Sequence, residues 1–82
     1  MRLKIKFFSI LREETGTKEK EVEITGENPK IKDLLDLLEI GNLEERIRNG
    51  LILVAKNFEY TSTTSEIKDG DEIAFFPPVS GG

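Results

Sequence analysis

The sequence of 82 residues predicts an α+β fold: a mixed sheet of about five strands in the order ββαβββ, with one main helix packed across it. Three observations predict it. Two early segments, Leu3–Phe7 and Lys20–Ile24, alternate apolar and charged residues, as half-buried strands do. Ile31, Leu34, Leu35 and Leu38 then recur at helical spacing. Three strand-like segments follow, and the last runs into Pro77-Pro78, neither of which can donate to a ladder.

Phe8 follows the first strand in the phase of its charged residues. A short helical turn is predicted over 9–14, ended by Gly16. With the strand at 20–24 this makes an antiparallel unit whose join is longer than a tight hairpin. Asn28-Pro29 suits the start of the main helix, and Gly41 stands where a C-terminal glycine cap belongs. Asn42 and Glu45 have capping-box spacing, which predicts a second short helix to about Arg48, stopped by Gly50. Leu51–Ala55 is an unbroken apolar run and predicts a central strand buried on both faces. Phe58–Thr61 reads as a returning edge strand, although Asn57 lacks the following glycine of a tight hairpin. Lys68-Asp69-Gly70-Asp71 marks a turn into the last strand, Glu72–Phe76. The expected organisation is one domain over 1–78 and a flexible tail over 79–82.

Composition narrows the chemistry. The chain is 37% hydrophobic and 34% charged, with a net charge of −4, a balance expected of a globular protein. That sign argues against nucleic acid as the main partner. No apolar run approaches the roughly 20 residues of a membrane span, and the N-terminal segment lacks the apolar centre of a signal peptide. The expected location is the cytoplasm. Cysteine and histidine are absent. This removes thiolate nucleophiles, Cys/His zinc sites and a histidine base. No metal site, bound cofactor or catalytic constellation of its own is expected.

The terminal stretch FFPPVSGG draws attention instead. Pro77 and Pro78 favour a stiff, extended exit from the sheet. Four more residues reach about 13 Å at full extension. Gly81-Gly82 give this probe a minimal cross-section, suited to carrying a carboxylate into a narrow tunnel of another protein. Period-2 geometry places Phe7 and Phe75 in the core, and Phe8 and Phe76 on the opposite face, with Tyr60 beside them if 59–61 is the edge strand. These rings form either an exposed patch for a partner or a minor second core. Arg12 is either a partner contact or one half of a surface ion pair.

Leu11-Arg12-Glu13-Glu14-Thr15-Gly16, Ile52–Asn57 and KDGDEIAFFPPVSGG resemble the MoaD/ThiS family of ubiquitin-like sulfur carriers, most narrowly its molybdopterin synthase small subunits. The resemblance spans essentially the whole chain. It implies a ubiquitin-like β-grasp fold and a carrier that is no enzyme by itself. An adenylyltransferase of the ubiquitin-activating type, using ATP and magnesium, would join AMP to the terminal carboxylate. A sulfurtransferase system would convert the adenylate to a thiocarboxylate. A large synthase subunit, in a complex of two carriers and two large subunits, would accept the tail. Sulfur would then pass to cyclic pyranopterin monophosphate, for a molybdenum or tungsten cofactor. The resemblance assigns attachment to Gly82 and tail passage to Gly81. It assigns docking to Phe8, Tyr60 and Phe76, with Arg12, Pro77, Pro78 and Val79 as further partner contacts. Three other readings stay open: sulfur donation to tRNA thiolation or thiamine thiazole, ubiquitin-like modification of proteins, and an adaptor that binds through its sheet alone.

Overall fold

Alternation in the first two strands produces the first pairing. Arg2–Phe7 (β1) and Glu19–Glu23 (β2) run antiparallel. Leu3, Ile5, Phe7 and Val22 point into the core. The other face of this pair carries opposite charges in register: Arg2 faces Glu23, Lys4 faces Glu21, and Lys6 faces Glu19. Cross-strand pairs of this kind favour one register over its neighbours. The structure, a computed structural model, describes residues 1–78. Val79, Ser80, Gly81 and Gly82, with the tail expectations that rest on them, lie outside the described residues.

The sheet has five strands in the order β2-β1-β5-β3-β4. β5 (Glu72–Phe76) lies at its centre, parallel to β1 and antiparallel to β3 (Leu53–Lys56). β4 (Glu59–Tyr60) pairs antiparallel with β3 at the edge. Three short helices accompany it: α1 (Ile10–Thr15), α2 (Ile31–Leu35) and α3 (Leu43–Arg48). The core joins Leu3, Ile5, Phe7 and Leu11 to Ile31 and Leu34 of α2, to Leu38 beyond it, and to Ile73 and Phe75 of the central strand. Among the described residues, no helix is long and apolar enough to cross a membrane.

Several local expectations change. The run Leu51–Ala55 does not form the central strand. Leu51 is 60% exposed, β3 starts only at Leu53, and β5 takes the centre. Five apolar residues in a row do not tell a central strand from its neighbour, because both can be covered on two faces. The main helix is also shorter than its stripe. Ile31, Leu34, Leu35 and Leu38 are all buried, but past Leu35 the backbone tightens into i→i+3 bonds, Leu37 N–H to Leu34 O and Leu38 N–H to Leu35 O. The left-handed residue that ends this segment is Glu39 (φ 54°), so Gly41 does not supply the cap. Asn42 is itself left-handed and its side chain caps nothing, so the Asn42/Glu45 box does not form.

The start of α2 is secured by other means. Asp33 accepts the Lys30 N–H at 2.8 Å. The N–H groups of Ile31 and Lys32 donate to the carbonyls of Ser65 and Thr63 at 3.0 and 2.8 Å. The loop before β5 thus satisfies donors that the first helical turn leaves without partners. Lys56 ties the same loop to β3 through Ser65 Oγ and the Glu66 carbonyl. At the other helix pair, the Arg46 guanidinium grips both carboxylate oxygens of Glu14, at 3.0 and 2.8 Å, and joins α3 to α1.

Candidate functional site

The sheet face away from the core has two halves. Over β1 and β2 it is a field of paired charges. Over β5, β3 and β4 it is apolar, because Leu53, Ala55, Tyr60, Ala74 and Phe76 share that face by register. Phe8 joins them from the end of β1. Its N–H donates to the Phe75 carbonyl at 3.2 Å, which extends the parallel ladder by one residue. Ser9 then turns the chain away at φ 55°.

Phe76 sits in the middle of the rings. Phe8 meets it edge-on with centroids 6.5 Å apart, and Tyr60 tilts against it at 5.8 Å. Such contacts are worth about 0.5–1.5 kcal/mol each. They fix the rings without covering them: Phe8 remains 41% exposed and Tyr60 74%. This is an open aromatic face and not a second core. Beneath the rings, Ala55 and Ala74 leave room for a groove of about 630 Å³. Phe8 and Ser9 border it on one side and Phe58 on another, with the Lys6–Glu72 ion pair (3.5 Å) also in its wall. Pro77 and Pro78 form the wall from which the chain leaves the sheet.

The structure therefore brings Phe8, Tyr60, Phe76, Pro77 and Pro78 together. Arg12 lies apart from Tyr60. It is exposed on α1 and borders a small depression with Lys6, Phe8 and Lys18. Among the described residues it makes no ion pair. Val79, Gly81 and Gly82 lie beyond the described residues. None of those residues forms a group of three or more His, Cys, Asp or Glu able to hold a metal ion.

Phe58 was not legible as a site residue. It is 87% exposed, and with Asn57 it forms the two-residue connection between β3 and β4. Both have positive φ, 50° and 72°, as a hairpin that follows the sheet's twist requires. Asn tolerates that region, whereas for a bulky residue it is an outlier. The signal was present in the sequence: an aromatic stands where such a turn calls for glycine. Asn57 holds the turn against the central strand. Its amide donates to Asp71 at 2.9 Å, its side-chain oxygen accepts the Glu72 N–H at 3.0 Å, and its own N–H donates to the Glu72 carbonyl at 2.8 Å.

A five-stranded mixed sheet gripping short helices, with its first and last strands parallel at the centre, is the ubiquitin-like β-grasp. Sequence comparison then gives the family: residues 5–82 match the ThiS family, and the chain belongs to it. A molybdopterin synthase sulfur carrier subunit from Escherichia coli (strain K12) is 34% identical over 82 residues, covering 98% of this chain and 99% of that protein. Among solved structures, small archaeal modifier protein 1 of Haloferax volcanii superposes with a TM-score of 0.76 at 28% identity, covering 95% of this chain and 98% of that one. One chain of the complex of subunits 1 and 2 of molybdopterin-converting factor from Helicobacter pylori superposes at 0.67 with 27% identity over the whole of both chains.

Proposed function

We propose that this protein is a sulfur carrier for molybdopterin synthesis, working from the segment that follows Pro78. One observation carries the reading: the open aromatic face adjoins the point where the chain leaves the sheet, in a family match that runs through Gly82. A partner covering Phe8, Tyr60 and Phe76 therefore lies where it can receive that segment. The relative from Helicobacter pylori, seen in a complex of two subunits, supports a large synthase subunit as the partner.

The chemistry takes place at the Gly82 carboxylate. A carboxylate oxygen attacks the α-phosphorus of ATP on an adenylyltransferase, which supplies the magnesium, and pyrophosphate leaves. The outer sulfur of a sulfurtransferase persulfide then adds to the acyl carbon and AMP departs; a second thiol attacks the resulting acyl disulfide, forms a disulfide with the donor sulfur, and releases the thiocarboxylate. In the large subunit that sulfur attacks a carbon of the pterin precursor, and water hydrolyses the resulting thioester, so that the sulfur stays on the precursor and the carrier regains its carboxylate. The carrier contributes reach and docking, and Gly81 keeps the approach narrow. No side chain of the carrier takes part in bond making, consistent with a chain that has neither Cys nor His. Cytoplasmic residence follows from where these partners would work.

Intact mass of the protein from its native host is expected to show a fraction with one oxygen replaced by sulfur, and deletion of Gly82 to abolish activation by the adenylyltransferase. Activation of the shortened chain would sink the reading. The superposition on small archaeal modifier protein 1 favours a second use of the same activated end, conjugation to lysines of other proteins. Gly-Gly remnants on host lysines, lost when Gly82 is deleted, would reveal it.

A further inference from the structure

Outside glycine, six described residues have left-handed φ: Ser9, Asn28, Glu39, Asn42, Asn57 and Phe58. The three asparagines tolerate that region. Of the remaining three, Ser9 and Phe58 both border the aromatic groove. Strained backbone persists where the surroundings enforce it, and it concentrates at working surfaces. At Phe58 the fold offers no compensation. The side chain is 87% exposed, so burial of its ring does not offset the unfavourable φ of 72°. Glycine at this position would suit the turn better and expose less apolar surface.

From this mismatch we infer that Phe58 is a docking anchor for the protein that takes up the segment after Pro78. This rests on the function proposed above and adds a contact to it. The occupant follows from the groove itself. The Asn57-Phe58 turn stands beside Glu72 at the start of β5 and Pro77-Pro78 stand at its end, with one groove between them, so a protein that receives the chain from that exit and fills the groove reaches Phe58. Phe76 projects from its strand and Phe8 follows β1, while Phe58 projects from the hairpin tip and is far more exposed, 87% against 41% for Phe8. It therefore fits an apolar socket in the large subunit at the end of the groove away from the tail. Large aromatics seated in such sockets dominate interface energetics.

The test compares the full chain with its Phe58→Gly variant. Thermal unfolding is expected to give the variant a midpoint at or above that of wild type, because glycine accepts the turn. Titration calorimetry against the purified large synthase subunit is expected to show binding weaker by at least about 10-fold, in the range for loss of an anchor. Phe58→Tyr, which keeps the ring, is expected to bind within a few-fold of wild type. Should glycine loosen the hairpin, Phe58→Asn removes the ring in a residue that also accepts this φ, and the same loss is expected. Wild-type affinity in a folded Gly or Asn variant would overturn the inference and leave the proposed function standing. If the unaltered chain fails to bind the large subunit, both fall. Sedimentation velocity supplies the remaining arm: self-association of wild type that Phe58→Gly abolishes would assign the ring to a second copy of this chain and overturn the inference.

Discussion

Phe75 and Phe76 are neighbours in sequence, yet their alanine variants are expected to fail in different ways. Phe75 is 0% exposed, and its ring stacks 6.5 Å from that of Phe7 at the centre of the core. Truncating a buried Phe costs about 3–5 kcal/mol. At about 0.05–0.15 kcal/mol per residue, a chain of this size has roughly 4–12 kcal/mol in total, so Phe75→Ala removes much or all of it. Phe76 points to the opposite face and is only half-buried. Its loss forfeits the contacts with Phe8 and Tyr60, about 1–3 kcal/mol together. With a urea slope near 1 kcal/mol/M for so small a protein, the unfolding midpoint is expected to fall by about 3–5 M for Phe75→Ala and by about 1–3 M for Phe76→Ala. Affinity for the large synthase subunit reverses the order. Phe76→Ala, still folded, is expected to lose about 30-fold or more, as central aromatic anchors do. Equal midpoint shifts would refute the assignment of the two rings to opposite faces. Unchanged affinity in Phe76→Ala would refute the docking role.

Asn57→Ala removes two side-chain hydrogen bonds and places alanine at a left-handed φ. A cost of about 2 kcal/mol is expected, with faster hydrogen exchange at the Glu72 amide as its local signature. Gly16→Ala meets nothing within 4 Å, so only its φ of 75° penalises it; the midpoint of thermal unfolding is expected to drop by about 4–8 °C for roughly 1 kcal/mol. Hydrogen bonding to Arg46 holds the Glu14 carboxyl below its ordinary value near 4.5. The folded form therefore binds its proton less readily than the unfolded chain. The stabilisation is present above that ordinary value and fades as pH falls through the folded one. Because the pair is solvent-exposed, Glu14→Gln is expected to cost at most about 1 kcal/mol at neutral pH. The difference from wild type is expected to close in acid, as followed by urea unfolding across pH.

Much of the architecture was legible because it depends on period. Leu3, Ile5 and Phe7 had to share a face, and Phe8 and Phe76 had to oppose them. The resemblance in FFPPVSGG and LREETG pointed to the family. Less legible was whatever depends on long-range pairing. Strand order is one case: nothing local in Leu51–Ala55 says that β5 will lie inside β3. Capping is another, since Ser65 and Thr63 supply acceptors to α2 from thirty-odd positions away in the chain, whereas Gly41 and the Asn42 side chain, which have local capping character, cap nothing. The Asn57-Phe58 hairpin escaped for an opposite reason. Its sequence contradicts the rule for its own turn, and only the folded chain brings that exception to the rim of a groove.

The parallel pairing of β1 with β5 fixes where the molecule can be held. Because both strands run the same way, with Phe7 level with Phe75, Met1 and the Pro77-Pro78 exit stand at opposite poles, about 25 Å apart along the strands. The Met1 nitrogen already donates to the Ile24 carbonyl, a bond that a peptide N–H could make equally well. A fluorophore, a surface linker or a fused protein attached ahead of Met1 therefore leaves the exit and the rings of Phe8 and Phe76 clear, and needs a linker long enough to pass Phe58, which stands level with Lys4 and Glu72. The same attachment beyond Pro78 would stand in the partner's path.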